Sequence, residues 1–554
     1  MKILIVVPNF LLEPIGLAYI SAVLKKEGHE VDVLKKSQSH LLGKVLSRGR
    51  YDFVATGGLS LHFNMINNLL DAAKKARVKT IVGGGIVTSE PELMTRALNA
   101  DYSVIGEGEE TVVELLDAIC RGKDLEAVRG IGFLNKDKFV LTEPRKPIED
   151  LDSLPVPDWD GVGLDEVLDR QKGSDGLGME IFDYPRAYTI SMSRSCPFLC
   201  TFCYHPLGNK YRKRSVESIM KELEISIPKY RINMLGITDE LFSNNKERVY
   251  DFCRQLKKFK ENLSWDLKWA CQMRVDKLDE EMIDVMKGAG FFLASYGFES
   301  YSPVILTSMK KYIKPEQIHR AVHITLDKKI NLQANFIFGD IAETAETAEE
   351  TLNFWKEHSF ACIMLDFILP LPDSQLYRYC IEKGIIKDRL DFIKNHIGAI
   401  YNMTQLSDAE FYKLWVNIIK TGVEYAPQAI PLSVSTASVK VKCPHCNEVI
   451  EYKNFDINSE NSFFIWMLPI PPNKYYFSKV IHCRICARRF YAVSRLFGIY
   501  KKMILLFLTP GMSRIYLKYV VVFYRKINPI YRKINFLRYK IRMSFSPGAK
   551  KSEE

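Results

Sequence analysis

Between residues 461 and 551 there is no Asp or Glu, although the same stretch holds 19 Lys and Arg. The net charge of +11 is therefore a property of the C-terminal end, and residues 1–460 sum to −6. No apolar run approaches the ~20 residues that a membrane-spanning helix needs; the tail offers only MILLFL (503–508) and YVVVF (519–523). Neither G-x-G-x-x-G after the first strand nor a Walker loop is present, which argues against a dinucleotide or ATP. There is no low-complexity tract, and 47% hydrophobic with 26% charged residues is the composition of a globular protein. The apolar start MKILIVVPNF lacks a cleavable signal pattern and reads as a strand, so a cytoplasmic protein is expected, in a compartment where clustered thiols bind metals.

The most informative absence is a fourth cysteine beside CPFLCTFC (196–203). Structural zinc takes four ligands, and so do electron-transfer iron–sulfur clusters. Three thiolates on one loop, Cys196, Cys200 and Cys203, leave one coordination position open. Seven of the 12 cysteines fall into three close clusters. The singletons Cys120, Cys253, Cys271, Cys362 and Cys380 read as buried apolar residues, with Cys271 and Cys362 inside expected strands.

At 554 residues the chain should hold several domains. Residues 1–145 alternate β-branched runs (2–7, 29–35, 52–58, 79–85, 101–109) with helix-length segments, the pattern of a doubly wound parallel sheet. Ligands of such sheets lie at the strands' carboxyl ends, where Gly57, Gly58, Ser60, Gly84 and Gly106 stand. An extended piece at 129–143 and an acidic, proline-bearing linker within 146–185 follow. Residues 186–400 resume the alternation, with strands at 188–193, 232–239, 267–272, 291–299, 331–339 and 361–369. Six such units predict a partial (β/α)6 barrel of the TIM type, with its active site at the strands' C-terminal ends. CPFLCTFC directly follows the first of them. A helical extension is expected over 401–440.

The Cys-x3-Cys-x-aromatic-Cys spacing, with Phe202 as the aromatic, resembles the signature of the radical S-adenosylmethionine superfamily. Further segments resemble its cobalamin-binding-domain branch: VGGG (82–85), ADYSVIGEGEET (100–111), DLDSLPVPDWD (150–160), ITDELF (237–242), QMRVDKLDEEMIDVMKGAG (272–290), YGFESYSPVIL (296–306) and IFGDIAET (337–344). The resemblance implies a [4Fe–4S] cluster on the three cysteines, with S-adenosylmethionine on the open iron. It also implies cobalamin on a Rossmann-like N-terminal domain, and a flavodoxin- or ferredoxin-type electron donor. By the same resemblance Phe202 sits near the adenine, and Asp239 or Glu240 accepts from the methionine amine. Arg274 holds the carboxylate, Glu299 contacts the ribose, and the nucleotide tail of cobalamin lies along Gly57, Gly58, Ser60, Gly84 and Gly106. Where the branch shows Asp-Asp and Pro-Gly-Thr, this chain has Asp239-Glu240 and Pro372-Asp373-Ser374. PNFLLEPIG (8–16) has no histidine where some cobalamin proteins supply one to cobalt, so none is expected on its lower face.

In the C-terminal part, KCPHCNE and HCRICARRF place Cys443, Cys446, Cys483 and Cys486 as two Cys-x2-Cys knuckles within 441–490. They read as a zinc ribbon, with a second iron–sulfur cluster or uncoordinated thiols as the alternatives. The tail, 491–554, repeats YRKINPI as YRKINFL, giving a basic amphipathic stripe. Over 503–545 it suits an anionic membrane surface, placing the protein at the inner face of the membrane. Binding to nucleic acid or docking on the chain itself are the other uses. The expected reaction is methylation of an unactivated carbon in a small-molecule or lipid substrate. A cobalamin-associated radical cyclisation or rearrangement, an RNA-binding or RNA-modifying protein, and a non-catalytic scaffold are the alternatives.

Overall fold

A computed structural model describes residues 1–8, 14–397, 400–435, 437–457 and 478–495, together with 498, 501 and 502. The first sheet contains β1 (Lys2–Val6), β2 (Glu30–Leu34), β3 (Phe53–Gly57), β4 (Lys79–Gly83), β5 (Tyr102–Val104), β6 (Ile131–Asn135) and β7 (Lys138–Leu141). The order is β2-β1-β3-β4-β5-β6-β7, parallel through β5 and then antiparallel. β3 is buried at every position, as a central strand covered on both faces must be. The extended piece read at 129–143 is the β6–β7 hairpin, which widens this sheet.

The expected linker is not a loose tether. Trp159 is buried against Tyr188, with ring centroids 5.2 Å apart, and Leu151 is buried too. Asp158 caps the short helix Trp159–Val162 through Gly161 N and accepts a 2.6 Å ion pair from Lys25. Its proline and acidic content is turn and capping chemistry rather than solvation.

The second sheet follows the order β15-β14-β13-β12-β11-β8, all parallel. Its strands are β8 (Ala187–Ile190), β11 (Met234–Ile237), β12 (Lys268–Met273), β13 (Phe291–Glu299), β14 (Asn331–Phe338) and β15 (Cys362–Phe367). A short antiparallel pair, β9 (Ser193–Arg194) and β10 (Arg212–Lys213), stands between β8 and β11. The helices between strands are capped by side chains, as at Ser215, Asn245 and Asp279. Each such cap is worth about 1 kcal/mol. One set of alternate strand residues, including Tyr296, Phe298, Ala334, Phe336 and Leu365, enters the main apolar core with the helices. Trp269 is fully buried there, edge-on to Phe242 and Phe252. The opposite face carries Gln272, Ser295, Gln333, Asn335 and Asp366, all less buried than their neighbours. The inside of this partial barrel is thus a polar, open lumen, unlike the packed interior of a closed barrel.

A second apolar cluster joins the helices beside the two sheets: Phe63, Ile66 and Val87 next to the first meet Ile305, Met309 and Tyr377 next to the second. Only part of 401–440 is helical, Asp408–Tyr425, opened by a Ser407–Glu410 capping box. The rest supplies β16 (Gln428–Ala429), β17 (Ser433–Val434) and the start of β18 (Ser438–Lys442). β18 pairs with β19 (Val449–Lys453), and β20 (Ser478–His482) with β21 (Arg489–Val493). Of the singleton cysteines, Cys253, Cys271, Cys362 and Cys380 are buried, whereas Cys120 ends the helix Glu109–Cys120 and is exposed. No helix among the described residues is long and apolar enough to cross a membrane. The tail 503–545 lies outside the described residues.

Candidate active site

The three-cysteine loop leaves β9 through Ser195, whose φ of +68° turns the chain sharply into Cys196. The loop is held from three sides. Thr201 N donates to Met309 O at 3.1 Å, and Leu376 N donates to Thr201 O at 3.1 Å. Asp239, just past β11, accepts from Met192 N (2.7 Å), Ser193 N (2.9 Å) and Ser193 Oγ (2.6 Å). Anchors from the segments that follow β11, β13 and β15 converge on one loop at the barrel's C-terminal side.

Asp239 is therefore a positioning residue: both its oxygens are committed to the loop's root. Of the pair named for the methionine amine, Glu240 is exposed and has no hydrogen-bond partner among the described residues, so its carboxylate is the one free to accept. Arg274 is buried, donates to Asp276 (2.9 Å) and Lys311 O (2.9 Å), and stacks on the Phe198 ring of the cysteine loop at 3.6 Å. Glu299 ends β13 with φ +65° and pairs with buried Lys311 at 2.8 Å. Phe202 packs against the apolar cluster shared by the two sheets.

These cations bear on the thiols. The Cys203 hydrogen bond, followed by the Lys311 and Arg274 charges, draws Cys200 down to about 7 against the cost of burial. The same hydrogen bond and burial push Cys203 up, and burial pushes Cys196 up. Burial acts against the charge on Lys311, but the attraction of Glu299 and Cys200 together with the Glu299 hydrogen bond raises its pKa on balance.

The glycine edge of the first sheet faces this loop. A Cβ on Gly57 would meet Gly83 O at 2.7 Å, and one on Gly84 (φ +86°) would meet Gly58 O at 2.9 Å. Those two glycines are required by close backbone approach between strand ends. Gly106 (φ +77°) has open space where a Cβ would be, and its N donates to Thr88 Oγ1 at 3.0 Å. Ser60 is buried, with its Oγ 3.2 Å from Ser89 Oγ. Tyr204, next to Cys203, donates to Gly85 O at 3.1 Å. A second tie comes from Glu107, which accepts from Arg194 (2.6 Å) and Arg212 (2.8 Å), while Arg194 also reaches Glu109 (2.6 Å).

The residues fit the implied groups. The three loop thiols offer cluster ligands. Among the described residues, the side chains drawn to single-ion spacing are other groups. Thr201 Oγ1, both ring nitrogens of His205 and Asn335 Oδ1 are buried without partners. Polar atoms left unpaired in a site are what a bound ligand satisfies.

A B12-binding domain model matches residues 1–116, and a radical SAM superfamily model matches residues 190–354. An uncharacterised methyltransferase of Pyrococcus horikoshii is 30% identical over 387 residues, covering 67% of this chain and 79% of that protein. This chain belongs to the cobalamin-binding-domain radical S-adenosylmethionine family. An anaerobic magnesium-protoporphyrin IX monomethyl ester cyclase of Rubrivivax gelatinosus is 27% identical, covering 68% of this chain and 67% of the cyclase. In fold, the chain is similar to the radical S-adenosylmethionine methyltransferase TsrM of Kitasatospora setae. The TM-score is 0.59 at 18% identity, covering 69% of this chain and 76% of TsrM. The cobalamin-dependent radical enzyme OxsB gives 0.54 at 19% identity, over 73% and 58% of the two chains.

This family member is thus an enzyme of the radical S-adenosylmethionine class, with domains for a [4Fe–4S] cluster, S-adenosylmethionine and cobalamin. Residues 9–13 of the segment after β1 lie outside the described residues. Sequence reasoning missed Lys311, His205, and the Arg194 and Arg212 partners of Glu107. The GEGE run of 106–109 was legible as a family pattern, and its partners were not.

The four C-terminal cysteines also converge, with ligand atoms within 4.8 Å of one another. Cys443 and Cys486 sulfurs are 3.8 Å apart, and Cys446 and Cys483 are 3.6 Å apart. A tetrahedron with Zn–S bonds of 2.3 Å has edges of about 3.8 Å. The two knuckles repeat each other: His445 N and Ile485 N each lie 3.4 Å from the sulfur two residues back. In each, a residue of positive φ, Asn447 or Ala487, closes the turn.

Proposed function

We propose that this enzyme transfers a methyl group to an unactivated carbon of a small-molecule or lipid substrate. The observation that carries the reading is the Tyr204–Gly85 hydrogen bond, which ties the cysteine loop to the glycine edge of the B12-binding domain. It makes the mouth of the polar lumen common to both cofactor sites. When bound, the cluster with S-adenosylmethionine supplies a carbon-centred radical and cobalamin supplies a methyl group. The chain's own residues bind and orient. Cys196, Cys200 and Cys203 ligate the cluster, and Glu240 accepts from the methionine amine. Lys311 and Arg274 stabilise negative charge beside Cys200. Phe202 lies near the adenine, and Gly106 with Ser60 borders the nucleotide tail. The apolar cluster shared by the sheets excludes water from between them.

The paired knuckles support a structural zinc at Cys443, Cys446, Cys483 and Cys486, contributing folding energy to the C-terminal module. The nine Lys and Arg of 503–545, with no Asp or Glu among them, support peripheral attachment to an anionic membrane, with a flavodoxin- or ferredoxin-type donor supplying electrons.

The similarity to a cyclase favours one second reading, radical cyclisation without methyl donation. The test is anaerobic purification from cobalamin-fed cells, followed by incubation with S-adenosylmethionine and a reductant. Stoichiometric cobalamin with release of S-adenosylhomocysteine is expected. Only 5′-deoxyadenosine from cobalamin-loaded protein would favour cyclisation, and cobalamin-free protein with an intact cluster would refute the two-cofactor reading.

A further inference from the structure

Outside the active site, three histidines meet on the outer surface of the barrel domain. His319 and His323 stand one turn apart and exposed on the helix Pro315–Asp327. His358 is buried at the C-terminal end of the helix Ala345–Glu357. All three offer ring nitrogens within 4.8 Å of one another. We propose that His319, His323 and His358 bind a divalent cation of the zinc type.

Distances and tautomers both support the site. The Nε2 atoms of His319 and His323 are 3.2 Å apart. A tetrahedral ion with Zn–N bonds of 2.0–2.1 Å sets ligand nitrogens about 3.3–3.4 Å apart. His358 Nδ1 lies 2.8 Å from Phe354 O. A carbonyl only accepts, so Nδ1 carries the hydrogen and Nε2 presents its lone pair. That is the usual state of a metal-ligating histidine, its second nitrogen held by a backbone oxygen. The ring is fixed by stacking on Phe354, centroids 4.0 Å apart.

Three protein ligands leave the fourth position to water, since two of the histidines face solvent. The ion would brace the seat of the C-terminal module. Directly after His358, Phe360 O accepts from Arg489 N (2.9 Å) and Ser359 O accepts from Arg489 Nε (3.2 Å). Arg489 opens β21, three residues beyond Cys486. A cation here would join the helix Pro315–Asp327 to the turn that carries the knuckles.

The test counts zinc and iron per chain by mass spectrometry, after dialysis of full-length cluster-loaded protein against micromolar free zinc. His319→Ala/His323→Ala changes only exposed side chains. It is expected to hold one zinc fewer than wild type at equal iron. In a Cys443→Ser/Cys446→Ser background the same one-zinc difference is expected, separating this site from the knuckles. If that background fails to fold, the comparison of the histidine variant with wild type still decides. Equal zinc in those two would overturn the proposal and leave a hydrogen-bonded surface pair.

Discussion

Tyr204 and Gly85 lie 119 positions apart, yet the phenol of one donates to the main-chain oxygen of the other at 3.1 Å. Tyr204 adjoins Cys203, and Gly85 opens the short helix Gly85–Ser89 after β4. A Cβ on Gly85 would also sit 3.1 Å from the Tyr204 ring. Tyr204→Phe keeps the ring and removes the hydrogen bond, worth about 1 kcal/mol. Unchanged iron content is expected, with S-adenosylhomocysteine formation slowed several-fold. Wild-type turnover in the variant would show that the contact does not align the two sites.

Glu107 should act as a pH-dependent latch between the sheets. Burial pushes its carboxyl up, but the Arg194 charge and the hydrogen bonds from Arg212 and Arg194 outweigh it, so the net shift is downward. A depressed carboxylate contributes stability above its unfolded pKa, and that contribution is lost as pH falls through the folded value. Wild type should therefore lose stability on acidification below about pH 4.5, the region of an ordinary Glu. Glu107→Gln should be less stable at neutral pH by about 3 kcal/mol, with a flatter acid limb. Thermal melts between acid and neutral pH check both statements; parallel curves for the two proteins would contradict the latch.

Glu343 predicts a dependence of opposite sign. Burial raises its pKa to about 7 despite hydrogen bonds with Thr347 Oγ1 (2.8 Å) and Gly339 N (3.2 Å). The fold thus favours the protonated form, and stability falls as pH rises between the unfolded value and about 7, by at most about 3 kcal/mol. Glu343→Gln mimics the protonated state and should abolish that decline. Denaturant unfolding at pH 5 and pH 7.5 measures it, and an undiminished decline in the variant would rule Glu343 out as the source.

Both sheets, the cysteine loop and the two knuckles were legible because each is written in local sequence: strand-length β-branched runs, Cys-x3-Cys-x2-Cys, Cys-x2-Cys. The rest depends on contacts between segments that share no spacing. Asp239 was legible as a residue at a strand end, but only the fold shows its oxygens taken up by Met192 and Ser193. Lys311 carries no motif and reaches the site because β13 ends at Glu299 beside it. Residues 148–160 have a linker's composition, and the burial of Trp159 follows from the neighbouring Tyr188. The third histidine of the surface cluster comes from a different helix, so no spacing rule would have joined His358 to His319 and His323.

The knuckles give a prediction by metal removal. Cys446→Ser should lose one zinc per chain while keeping its iron, because the cluster thiols belong to a different module. Loss of the ion should loosen β20 and β21, which reach the barrel through His482 Nε2, 3.3 Å from Leu332 O, and through Arg489. Limited proteolysis should then cut within 428–495 first. Equal zinc in variant and wild type would remove the metal from these cysteines.

The Lys311–Glu299 pair lets the site's electrostatics be separated from its packing. Both side chains are buried, and Lys311 contributes to keeping Cys200 at about 7. Lys311→Met leaves Glu299 as an uncompensated buried carboxylate, a change that costs about 3–5 kcal/mol. Pairing it with Glu299→Gln removes the stranded charge, so the double variant should recover much of that stability. The thiol behaves differently: the Cys203 hydrogen bond and Arg274 still lower it, but the Lys311 charge is absent from both variants. Reconstituted iron should therefore fall in Lys311→Met and recover only in part in the double variant, because losing Glu299 relieves the thiol without restoring the ammonium, even as its melting temperature returns. If iron instead recovers together with stability, Lys311 serves the fold and not the cluster, and Arg274 is left as the cation that supports Cys200.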